Sequence, residues 1–201
     1  MSKGWVLNII QLWFTGYVSP AKLVDELRSK PAPLWGFYAQ LLRASLDALL
    51  LYLPLFLLGR EPPTRSYLTF VPTQDYYRAL VLLAPVVLTA QWLLGGALMH
   101  VVLRLWGRKS DIDQILNISG MATLVIGAFL VVWDWVWIFL GGMNQNLLGT
   151  SHLLIDVWWV VIMVVGLKRI LGVPVRSGIL LSLLVIAVSL PLAVMFMRSP
   201  L

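Results

Sequence analysis

Asp47, Asp134 and Asp156, three of the nine acidic residues in this 201-residue chain, fall inside long apolar tracts. A carboxylate in hydrocarbon is costly unless it is paired, hydrated or neutralised, so these positions are where any chemistry has to lie. His152 precedes Asp156 by four residues, the spacing that puts two side chains on one helical face. A histidine with two carboxylates suits a proton relay or a borderline divalent ion such as zinc. Asp134, His152 and Asp156 lack the strict ligand spacing of a metal motif, so the metal question stays open. The plainer account makes His152 an interfacial cap and gives each carboxylate a donor. Trp133, Trp135, Trp137, Trp158 and Trp159 crowd the same stretch and suit an aromatic belt. Arg43 and Asp47 form a second i,i+4 pair, with His100 as a residue that could approach Asp47. An intrahelical ion pair that lowers the cost of both charges explains Arg43 and Asp47 more simply than a relay does.

Other polar motifs have structural explanations. Asp111-Ile112-Asp113 looks like a DxD metal motif, but capping of a helix accounts for it, with Ser110 and Asp113 in a capping-box pattern. Asn117-Ile118-Ser119 matches a glycosylation sequon at the end of an apolar tract, out of reach of modification. Gly95-Gly96 follows no strand and precedes no lysine, so it reads as close helix packing. Ser119, Thr123 and Gly127 recur every four positions, a small-residue ladder on which another helix can settle.

The elements holding these residues are membrane helices. The chain is 60% hydrophobic and 12% charged, with a mean hydropathy of +0.87; a soluble domain carries roughly 25% charged residues. Apolar spans use nearly all the length, leaving no room for a separate catalytic domain. The net charge of +6 is scattered at tract ends, which argues against nucleic acid as a partner. With no cysteine, disulfides, thiolate chemistry and Cys-based zinc sites are excluded.

The fold class expected is all-α: a polytopic membrane helix bundle of five transmembrane helices plus an N-terminal interfacial amphipathic helix. Residues 5–18 make a helix of about 21 Å, too short for a hydrocarbon core of about 30 Å. Trp5, Trp13, Phe14 and Tyr17 are too bulky for a signal peptide, and Asn8, Gln11 and Thr15 form a thin polar stripe suited to the membrane surface. Ser19-Pro20 restarts a helix over residues 20–30, which Pro31 and Pro33 end. Residues 1–33 therefore form the interfacial region and 34–201 the membrane domain, with spans at about 34–58, 77–105, 112–140, 152–171 and 178–197. Five spans put the termini on opposite sides. A cytoplasmic N-terminus leaves ten basic residues in inner segments and four (Arg60, Arg65, Arg78 and Arg198) in outer ones, and the uncharged loop 141–151 falls outside.

Several stretches carry a resemblance to a known family. A Pro-started helix and a Pro-rich approach to the first span read SPAKLVDELRSKPAPLWGF; a short basic linker, RLWGRKSDIDQILNISGMAT, opens the third span; and the fourth ends in WWVVIMVVGLKRILGVPVRSGILLS. The chain resembles the Yip domain family, the Ypt/Rab-interacting integral membrane proteins, in its prokaryotic type. The resemblance implies a multi-pass protein of a prokaryotic cell membrane and supplies no catalytic residue and no cofactor. The expected function is non-catalytic, through contact with the lipid bilayer and with a second copy or another membrane protein. The alternative is a small transporter or channel subunit for an ion, proton or small solute, using the intramembrane acids.

Overall fold

The computed structural model describes residues 3–62, 68, 70–140 and 145–196. Arg65, residues 141–144, Arg198 and the rest of the tail, together with the side chains of Lys3 and Trp5, lie outside that description. Among the described residues no strand occurs, and the helices are α1 (Lys3–Val18), α2 (Pro20–Arg28), α3 (Leu34–Asp47), α4 (Leu53–Leu57), α5 (Tyr76–Leu105), α6 (Ile112–Phe139), α7 (Gln145–Leu171) and α8 (Val175–Phe196). A π-helical turn, Ala48–Tyr52, joins α3 to α4 in one continuous rod. Four helical stretches are long and apolar enough to cross a membrane: Leu34–Leu57, Thr73–Leu105, Ile112–Phe139 and Val175–Leu192. The remaining expected span falls within α7.

Burial ranks the helices. In α6, 72% of the apolar window is buried, against 28% in α5 and 22% in α8, so α6 is the central post and α5 and α8 stand at the margin. Leu82, Leu94, Leu154 and Leu180 point outward with more than half their surface free. In water that would be a liability; in hydrocarbon it costs nothing, since lipid tails are as apolar as leucine. Closeness inside the bundle comes from glycine. A Cβ on Gly120 of α6 would fall 2.1 Å from the Gly36 carbonyl oxygen, and one on Gly36 would fall 2.3 Å from that of Leu116. α3 and α6 therefore touch backbone to backbone, and the Gly36 N–H donates to Asn117 Oδ1 at 2.7 Å. The sequon asparagine is a buried helix clamp. Gly96 likewise admits Leu116, whose Cδ2 would sit 2.4 Å from an added Cβ, as close packing of that pair requires.

Prolines shape the rods, and tryptophans complete them. Pro54 has no N–H to give the Leu50 carbonyl four residues earlier. Trp135 of α6 donates its indole N–H to that carbonyl at 2.7 Å. The same device recurs at the α1–α2 junction, where Pro20 leaves the Gly16 carbonyl to the indole of Trp158, at 3.1 Å. α1 and α2 thus dock on the bundle. Leu23, Val24 and Leu27 of α2 are fully buried, and Asp25 meets Arg169 of α7 at 2.6 Å. On α1, Ile9 and Leu12 face inward, while Ile10, Phe14 and Val18 share the outer surface with Asn8 and Gln11. Asp111 caps α6, accepting from the N–H groups of Asp113 and Gln114. Ser110 is not the cap that its spacing suggested, because its hydroxyl pairs with His100 Nδ1 at 3.0 Å.

Candidate functional site

The two polar groups that the sequence separates come together between α3, α6 and α7. Arg43 and Asp47 are ion-paired across one turn of α3, with side chains 8% and 5% exposed. The Arg43 side chain lies flat across Gly127: a Cβ there would sit 1.4 Å from Nε and 1.7 Å from Cδ. Gly127 thus ends the small-residue ladder for a different purpose from the one expected, as the seat of a charged side chain. Further along α6, buried Asp134 meets His152 of α7, Oδ1 to Nε2, at 2.8 Å. With Nε2 protonated, the imidazole donates to the carboxylate. Asp47 lies within electrostatic range of both Asp134 and His152, and Asp156 within range of His152 and Arg43. Five ionisable groups therefore form one neighbourhood, with Arg43 at the join. Asp47 is part of it.

His100 does not belong to this neighbourhood. The Phe37 and Trp92 rings are 6.3 Å apart and the Tyr52 and Tyr77 rings 6.5 Å apart, so α3 and α5 run antiparallel. Asp47 lies ten residues beyond Phe37, and His100 eight residues beyond Trp92 in the opposite direction. At about 1.5 Å per residue they diverge by roughly 27 Å along the bundle, and His100 serves the loop at the end of α5 instead.

Trp133, Trp135, Trp158 and Trp159 do not serve the carboxylates either. The indole of Trp133 donates to Ser151 Oγ at 2.7 Å, that of Trp135 to Leu50, that of Trp158 to Gly16, and that of Trp159 to Thr123 Oγ1 at 3.3 Å. Histidine is the partner that Asp134 finds. Among the described residues no three histidine or acidic side chains form a set able to hold a metal ion. What the arrangement can do is hold a proton between imidazole and carboxylate, with Asp156 one turn along α7 and Arg43 balancing part of the negative charge.

Asp156 also lines a cavity of about 210 Å³ walled by α3, α5, α6, α7 and α8. Gln40, 1% exposed, lines the same cavity, and both its amide nitrogen and its amide oxygen are without a hydrogen-bond partner. Sequence reasoning passed over Gln40. The signal was present, since Gly36, Gln40, Arg43 and Asp47 follow helical spacing and mark the face of α3 that enters the bundle.

The profile of the Yip1 domain matches residues 15–197 of the chain. No curated protein and no solved structure matches it.

Proposed function

We propose, from the premise that this chain belongs to the Yip1 domain family, that it is a five-span protein of a prokaryotic cell membrane that works through membrane and protein partners without catalysis. α7 supplies the fifth span; its 27 residues reach about 40 Å, enough to cross the hydrocarbon with some tilt. The N-terminus is cytoplasmic and the C-terminus outside, following the excess of basic residues in the inner segments. α1 departs from a helix lying wholly on the inner surface: Gly16 packs on Val125, midway along α6, so the end of α1 dips into the hydrocarbon and Phe14 and Val18 meet lipid there.

The observation that carries the non-transport reading is the internal pairing of the buried charges. Arg43 neutralises Asp47, and His152 holds Asp134. Charges matched in this way lower the cost of their own burial, and the Asp134–His152 bond ties α6 to α7. Reconstitution into proteoliposomes tests the reading: proton, sodium, potassium and divalent-ion flux should equal that of protein-free vesicles. Specific flux that disappears in Asp134→Asn or Asp156→Asn would replace it with transport. That second reading has one observation in its favour, the position of Asp156 on a cavity wall beside the paired charges. Topology has a separate test, because a chain without cysteine gives a clean background for labelling. Lys109→Cys and Arg176→Cys should react only from the cytoplasmic side, and Arg60→Cys and Gly149→Cys only from outside.

A further inference from the structure

We propose that the cavity between α3, α5, α6, α7 and α8 binds an uncharged acylglycerol-type lipid, with the lipid's hydroxyl held by the Gln40 amide. Four features of the cavity select this occupant.

The first is its setting. α5 and α8, which wall it, are the least buried of the four apolar rods. Leu153 and Leu190, which also line it, are 50% and 49% exposed, so the opening is flanked by side chains that face hydrocarbon. The second is its size. At about 210 Å³ it exceeds the ~150 Å³ apolar cavities that admit a benzene-sized molecule. It takes a small head and a run of methylenes, with the rest of an acyl chain left in the bilayer. Trp92, Trp159 and Met99 supply the apolar wall.

The third is the amide. Gln40 is buried with both polar ends unsatisfied, whereas buried polar groups are nearly always bonded. The nearby polar groups are already engaged: Ser119 and Thr123 donate to backbone carbonyls of α6, and Gln91 donates to the Ser189 carbonyl at 3.3 Å. A hydroxyl answers the amide completely, accepting from Nε2–H and donating to Oε1. An ammonium can only donate, and an ester can only accept. The fourth is charge: Asp156 on the wall repels a phosphate or carboxylate head.

The test uses the full chain in nanodiscs with a diazirine-tagged monoacylglycerol as the probe. Labelling should map to residues lining the cavity on α5, α7 and α8. At pH 9 an unlabelled long-chain alcohol should compete, while the ionised acid and the methyl ester of the same chain should need at least tenfold more. Gln40→Leu keeps the volume and apolar packing, and should weaken labelling at least tenfold. Ser189→Trp should block the cavity without touching the amide, with the same loss. Thermal unfolding of each variant reports whether the fold is intact. Equal competition by the ester or the acid would overturn the proposal. So would labelling that persists in both folded variants, or wild-type labelling no stronger than that of Ser189→Trp. The competition series runs on the unaltered protein and therefore decides the matter even if a variant fails to fold.

Discussion

Gly127→Ala is the smallest change that should disconnect the buried charges. The added methyl would meet Arg43 Nε at 1.4 Å and Cζ at 2.5 Å, while ordinary contact begins near 3.4 Å. Nε must therefore withdraw by 3.4 − 1.4 = 2.0 Å, which carries the guanidinium out of hydrogen-bond reach of Asp47. Breaking a buried ion pair by displacing one partner costs about 3–5 kcal/mol. Alanine returns up to about 1 kcal/mol as the better helix former. The expected net destabilisation is about 2–4 kcal/mol, read as a shift in the unfolding midpoint in mixed micelles. Gly149→Ala, where an added Cβ meets nothing within 4 Å, is the matched control and should be neutral or slightly stabilising. A double-mutant cycle with Arg43→Met isolates the mechanism, since the Gly127→Ala penalty should shrink by more than half once the guanidinium is gone. A Gly127→Ala protein as stable as the parent would refute the seat that α6 provides for Arg43. An unchanged penalty in the Arg43→Met background would do the same.

Other consequences can be measured in the same system. Trp135→Phe leaves the Leu50 carbonyl without its indole donor and should cost about 1–3 kcal/mol; Pro54→Ala, which restores a backbone N–H, should recover part of the loss. Trp158→Phe removes the bond to the Gly16 carbonyl, so amide exchange across α1 should rise while that of α6 stays unchanged. Gln40→Leu in lipid-free detergent should raise stability by about 1–3 kcal/mol, because an unpartnered buried amide is removed; a loss of stability would mean that the amide has a protein partner after all. Burial raises the Tyr17 phenol above its ordinary value of 10.0. The unfolded chain therefore ionises first, and stability should fall as pH rises above about 10; Tyr17→Phe should flatten that slope.

Much of the architecture was legible in the residues. Long apolar tracts announced the membrane helices, Pro20 marked the start of α2, and the i,i+4 spacing of Arg43 and Asp47 announced their ion pair, all because these signals are local. The pairing of Asp134 with His152 was half legible: a short connection makes α6 and α7 neighbours, but it does not say which side chains meet. The acceptors of the tryptophan indoles were not legible. An indole beside a carboxylate in sequence points elsewhere on a helix, and the carbonyls that prolines leave open compete for it. His100 was misjudged because its depth depends on the antiparallel register of α3 against α5, which no local pattern encodes.

By itself, the sequence determined that this is a helical protein of the membrane and which residues are expensive to bury. Only the tertiary structure decided that the costly residues belong to one neighbourhood. Backbone contact at Gly36 and Gly120 sets the register of α3 on α6, and Gly127 then receives Arg43. That register brings Asp47 toward Asp134 and His152, and sets Gln40 on the cavity wall without a partner. Helix periodicity names a face, but the partner of that face follows from where two backbones can approach, and that is a property of the packed bundle.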